Sequence, residues 1–429
     1  MANAKPALRN PWAWVPTLYL AEGLPYVLVA TVSVVLYKNL GVSNTDIAFY
    51  TGWLYLPWVI KPLWSPLVDI LKTRRLWIWL MQLLVGAGLA GVALTIPAPD
   101  FFQWTLAFFW LLAFSSATHD IAADGFYMLA LTEREQAFFV GVRNTFYRVA
   151  MICGQGGLII LAGQLQKRTG DVKFAWSVAF AAVAAMLICL SAYHRFILPR
   201  PESDRRGSAD SAGRFFKDFL VTFGTFFQKR GIVVALLFLL LYRFGEAQLV
   251  KMAQLFVLDA REKGGLGLAT DQVGLVYNTV GVVALLLGGL LGGLVASRQG
   301  VRFWLWPMAL AINLPDAVYV YLAYTQPDNL LVTSACVAVE QFGYGFGFTA
   351  YTLYMIYIAR GQHRTAHYAI CTGFMALGMM IPGMWSGWLQ EHLGYQQFFL
   401  WVLLATIPSF LVVLWIPLDP EFGRKTAPN

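Results

Sequence analysis

Residues 12–37 read WAWVPTLYLAEGLPYVLVATVSVVLY, 26 residues carrying one charge, Glu22. At 1.5 Å per residue a helix of that length reaches about 39 Å, enough to cross the ~30 Å hydrocarbon core of a bilayer. The stretch therefore predicts a membrane-spanning helix. Glu22 stands roughly 10 residues into it, about 15 Å deep and so near mid-membrane. A charge at that depth costs about 2.5–3.5 kcal/mol on the mildest scale, so its presence asks for a role. Gly23 and Pro25 follow it and predict a loosened helix with a freed backbone carbonyl beside the carboxylate.

The rest of the chain repeats this pattern. Hydrophobic residues are 58% and charged residues 13% of the 429, a balance no soluble domain of this size needs. Further spans are predicted near 45–68, 76–97, 103–131, 136–164, 173–197, 231–258, 271–296, 303–325, 329–359, 364–389 and 394–417. Runs this long exclude barrel strands, so the fold class is an all-α membrane protein with twelve spans in the lipid bilayer. No small-residue cleavage site follows the first span, which is read as retained. The one long polar stretch, 199–230, separates an N-terminal six-helix bundle (1–198) from a C-terminal one (231–429). Within this linker Arg214, Phe215, Phe216, Lys217, Phe219 and Phe223 predict a short amphipathic helix on the inner surface.

The net charge of +8 is an orientation signal rather than a nucleic-acid footprint. Lys5, Arg9, Lys72, Arg74, Arg75, Arg134, Arg298, Arg302, Arg360, Arg364, Arg424 and Lys425 share one side with the basic linker. Only Lys38, Lys167, Arg168, Lys173, Arg261 and Lys263 fall on the other. An excess of basic residues marks the cytoplasmic face, which predicts both termini in the cytoplasm. Cys153, Cys189, Cys336 and Cys371 fall in spans without metal-ligand spacing, so neither disulfide nor metal is expected. No phosphate-cradling loop or nucleophile elbow occurs, which argues against an ATP-driven pump or a hydrolase; no cofactor is implied.

The two halves repeat one another. Leu20-Ala21-Glu22-Gly23 is matched by Phe244-Gly245-Glu246-Ala247, and Glu22 and Glu246 are 224 residues apart. Thr45-Asp46 and Thr270-Asp271 are 225 apart, and Gly163-Gln164-Leu165 and Gly387-Trp388-Leu389 are 224 apart. Internal repeats of this kind mark secondary transporters, whose solute binds at mid-membrane between the repeats.

The charges inside the spans then supply candidates. Glu22 and Glu246 are read as proton-coupling carboxylates, with Asp120 and Asp124 as further coupling candidates, since a desolvated carboxyl can hold and release a proton near neutrality; the bland alternative is an ion pair with Arg148 or Arg243. Asp120 and Asp124 share a helix face and point toward Arg143 as an inner gate or a fixed clamp, while His119 faces about 100° away as a core histidine or a relay. Arg148 and Arg243 suit an anionic solute, because arginine grips carboxylate with two prongs. Tyr26, Trp53, Tyr147, Tyr277 and Glu340 complete the solute-binding set. Lys251 is read as a snorkelling side chain.

Two loops carry a family signal. Gly293 to Arg302 resembles the glycine–acid–basic loop of the major facilitator superfamily, with Ser297 at the usual acid position and Arg298 beside it. Its first copy runs from Ser65 to Asp69. The resemblance implies a charge latch, which makes Lys61, Asp69, Arg143 and Arg298 gating candidates. Three runs resemble the AmpG-type muropeptide permeases of that superfamily: Glu22-Gly23-Leu24-Pro25, Lys61 to Asp69, and Ala117 to Asp124. The last run is also similar to acetyl-CoA transporters, and siderophore importers share the layout. The resemblance implies a monomeric, proton-driven inner-membrane importer of a small-molecule solute, a bulky anion such as an anhydro-muropeptide. A membrane-embedded transferase and a sensor that binds without transporting are the rival classes.

Overall fold

The computed structural model describes residues 10–65, 68, 71–131, 133–201, 204, 220, 221, 223–361, 364–419 and 422. Every regular element among them is helical. In chain order they are α1 (Val15–Val27), α2 (Ser33–Asn39), α3 (Asn44–Trp53), α4 (Leu56–Ile60), α5 (Arg74–Thr95), α6 (Phe101–Ala130), α7 (Glu133–Ile152), α8 (Leu158–Thr169), α9 (Val172–Ile197), α10 (Ile232–Leu241), α11 (Phe244–Leu258), α12 (Thr270–Leu275), α13 (Val282–Gln299), α14 (Val301–Asn313), α15 (Ala317–Thr325), α16 (Leu330–Ile358), α17 (Arg364–Leu404) and α18 (Ile407–Trp415). Nine helical stretches among the described residues are long and apolar enough to cross a membrane. The last of them holds two spans, because Gly394 breaks α17 at φ 72°. With α16 and the broken helix α3–α4, the twelve predicted spans are present.

Helix starts follow local chemistry. Ser43 accepts from the Asp46 amide, Thr73 from Leu76 and Asp171 from Phe174, each satisfying a donor the first turn leaves open. One local expectation fails. The helix does not loosen at Gly23 and Pro25, since α1 continues through both and widens afterwards, in a π-turn at Leu28–Val32. Glycine at position 23 serves packing instead. A Cβ there would stand 2.8 Å from the Tyr147 carbonyl oxygen and 2.9 Å from the Ala150 Cβ, so α1 and α7 could not approach as they do. A second π-turn, Cys153–Gly157, joins α7 to α8, and Gln155 within it donates to Thr31 in the first (3.1 Å).

Contacts divide the chain into two compact units: residues 1–36 with 60–218, and residues 37–59 with 219–429. The first buries Trp14, Leu18, Tyr19, Ile78, Ala123 and Phe126 together. The second has an aromatic core in which Phe238 packs on Tyr242, Tyr351 and Tyr354. Phe223 of the linker packs against that core; Arg214, Phe215, Phe216, Lys217 and Phe219 lie outside the described residues. In the second unit α13 and α16 cross with backbones nearly touching, since a Cβ on Gly345 would fall 2.0 Å from the Leu285 carbonyl oxygen. α3 belongs to this unit and lies against α17, with Gly387 equally close to the Asn44 carbonyl.

Candidate functional site

Three helices of the first unit, α1, α6 and α7, bring its charges together, with Lys61 from the short turn after α4. Asp124 and Asp120 occupy successive turns of one face of α6. Arg143 of α7 pairs with Asp124 at 2.8 Å, and Lys61 lies 3.5 Å from Asp120. The Arg143 guanidinium also sits over the rings of Tyr19 (4.6 Å) and Tyr127 (5.8 Å). Glu22 lies within electrostatic reach of all four charged groups, is 6% exposed, and its Oε2 has no hydrogen-bond partner. Two matched ion pairs therefore flank one unmatched carboxyl. Tyr26 and Tyr147 border the same cluster. Arg148, one residue on, is exposed and makes no ion pair among the described residues. Asp69 lies outside the described residues.

His119 turns away from its neighbouring aspartates, as its helical phase predicts. Gln82 bridges it to His194: the Gln82 amide nitrogen is 2.9 Å from His119 Nε2, and its oxygen is 2.7 Å from His194 Nδ1. His194 Nε2 in turn meets the Thr17 hydroxyl at 2.9 Å. This buried chain ties α1, α5, α6 and α9 together. Sequence reading missed Gln82 and His194, although a lone amide inside an apolar span is a visible signal.

The second unit treats the repeat-related carboxylate differently. Glu246 is fully buried and held by both prongs of Arg243, Nε to Oε2 at 2.6 Å and Nη2 to Oε1 at 3.0 Å. Arg243 also donates to the Tyr344 hydroxyl and lies over the Tyr344 and Phe348 rings. These are the features of the structural pair weighed as the alternative for this glutamate. Tyr277, Tyr319 and Glu340 form a chain, with 2.6 Å between the hydroxyls and 3.2 Å from Tyr319 to Glu340 Oε2. Trp53 is partly exposed and Arg298 exposed, the latter with no ion pair among the described residues.

Lys251 does not snorkel. It is buried, donates to the Thr51 hydroxyl at 3.0 Å and lies over the Tyr55 ring. Nearby, Lys38 pairs with Asp259 at 2.6 Å, Tyr395 donates to the same carboxylate, and Asn44 binds Asp259, Gln390 and Tyr395. The charge distribution along the sequence marks Lys38 only as an orientation residue. An apolar groove of 430 Å³ on the first unit, lined by Trp64, Trp77, Met81 and Phe114, contains none of the charged candidates. Its lining suits lipid or packing rather than an anionic solute.

The Major Facilitator Superfamily profile matches residues 18–362. The chain belongs to that superfamily. It is a multi-pass membrane transporter of the major facilitator type. It is similar to the anhydromuropeptide permease of Escherichia coli (strain K12), 26% identical over 418 residues that cover 95% of this chain and 80% of the relative. An uncharacterized protein of Haemophilus influenzae is also 26% identical, over 422 residues covering 95% and 94%. Among solved structures, the nucleoside transporter NupG superimposes with a TM-score of 0.71 at 13% identity, covering 95% of this chain and all of that one, which supports the fold alone.

Proposed function

We propose that this transporter is a proton-coupled importer of a bulky anionic solute, such as an anhydro-muropeptide, in the bacterial inner membrane with both termini in the cytoplasm. The observation that carries the coupling is Glu22, a buried carboxyl with an unpartnered oxygen flanked by the Lys61–Asp120 and Arg143–Asp124 pairs. Ionised, Glu22 competes with both aspartates for the two cations; protonated, it releases them to their partners. A proton thereby changes which pairs are favoured, and a ligand shifts a two-state equilibrium only through such a differential interaction. For the solute, Arg148 is a candidate cation of the first unit, exposed and without an ion pair among the described residues, whereas Arg143 is engaged. The name of the Escherichia coli relative supports a muropeptide, while the run Ala117 to Asp124 resembles acetyl-CoA transporters as well.

The test is uptake of labelled anhydro-muropeptide into proteoliposomes under an imposed pH gradient. Glu22→Gln keeps the size and removes the titration. It is expected to bind solute and exchange it, yet to lose accumulation driven by the gradient. Full accumulation by Glu22→Gln would move the coupling role elsewhere. Competition by siderophores or CoA esters but not muropeptides would reassign the substrate, and no uptake of any of them would favour the transferase or sensor class.

A further inference from the structure

The second unit holds an anionic side chain that has no role in that scheme. Asp316, in the turn Leu314–Asp316 between α14 and α15, is 1% exposed, and neither carboxyl oxygen has a hydrogen-bond partner. The turn packs against α14, α15, α16 and α17. Among the described residues, the charged groups within electrostatic reach of Asp316 are Glu340 of α16 and Glu246 of α11, both acids. Glu246 is neutralised by Arg243, so that guanidinium is already engaged. Glu340 is 2% exposed and has no ion pair among the described residues; its oxygens accept from the Tyr319 hydroxyl and the Gln341 amide (3.0 Å). One turn before Asp316, the buried Asn313 leaves its side-chain oxygen unpartnered as well.

An isolated carboxylate taken out of water loses several kcal/mol of hydration that only a counter-charge or hydrogen bonds restore. Two buried acids within electrostatic reach of each other resist ionising together in such a setting. Positive charge must therefore come from outside the side-chain set. We propose that Asp316 and Glu340 form a second proton-binding site of this transporter, distinct from Glu22, with Tyr319 and Tyr277 as its hydroxyl chain. A proton fits better than a metal ion: no group of three or more His, Cys, Asp or Glu side chains among the described residues is arranged to hold one. The turn places this proton against α14 and α15 of the second unit, whereas Glu22 belongs to α1 of the first. Proton occupancy here does not depend on the coupling role proposed for Glu22.

The experiment is infrared spectroscopy of the full chain in lipid across a pH series, reading the carbonyl-stretch band of protonated carboxyls. That band is expected at neutral pH in the wild-type protein and in Glu22→Gln. Asp316→Asn and Glu340→Gln should each remove part of it. Absence of the band from Glu22→Gln at neutral pH overturns the proposal without any substitution at the site itself, so misfolding of a site variant cannot shield it. A band unchanged by both site variants also overturns it. Loss of the band on replacing choline by sodium at fixed pH would make the site a sodium site and overturn the proton assignment. Because the readout is occupancy, failure of Glu22 to couple transport would leave this result intact.

Discussion

Glu22 and Glu246 occupy repeat-related positions yet live in opposite electrostatic settings. Glu246 is gripped bidentately by Arg243, three residues earlier on the same chain. Glu22 has no partner for Oε2, because the cations near it are taken by Asp120 and Asp124. The repeat preserved a carboxyl and changed its neighbours. A matched buried charge fixes structure, whereas an unmatched one is where a proton or solute can act.

The largest effect should come from breaking the matched pair. Arg243→Ala strands a fully buried carboxylate and should cost about 3–5 kcal/mol of folding stability, read by equilibrium unfolding in mixed micelles. Adding Glu246→Gln should recover most of that loss, because the stranded charge is gone. Glu22→Gln should cost little by the same assay. A large loss at Glu22 and a small one at Arg243 would reverse the contrast.

Next in size is solute binding. Arg148→Ala should weaken binding of a carboxylate-bearing solute by about 1.5–3 kcal/mol without loss of folding stability, the scale of a charge-assisted hydrogen bond. Lysine should rescue only partly, lacking the two-pronged contact. Isothermal titration of both variants checks this, and unchanged affinity in Arg148→Ala would remove the residue from the site. The smallest effect belongs to the partly exposed pair at 3.5 Å: Lys61→Met should change folding stability by no more than about 1 kcal/mol. If gradient-driven uptake falls while stability holds, Lys61 acts in gating rather than in holding the fold.

Position along the chain was legible where one dimension suffices. Long apolar runs located the spans, and the helical phase that separates Asp120 and Asp124 from His119 is a property of a single helix. The Arg243–Glu246 pair, three residues apart, was available as an alternative for the same reason. Arg143 and Asp124 could be matched by counting depth along antiparallel helices.

The sequence by itself determined the membrane class, the number of spans and the internal repeat, because burial in hydrocarbon acts on every residue of a span at once. Tertiary structure alone decided which charges are matched. Lys251 has the stem of a snorkelling lysine, yet Thr51 and Tyr55 hold it inside. Lys38 reads as a surface marker, yet it pairs with Asp259 and donates to Asn44, which in turn binds Gln390 and Tyr395. Asp316 reads like any other intramembrane acid, and only the packing of α14, α15 and α16 shows that no cation among the described residues pairs with it. Ion pairing depends on separations of a few ångströms between residues far apart in the chain, and composition and spacing carry no such distance.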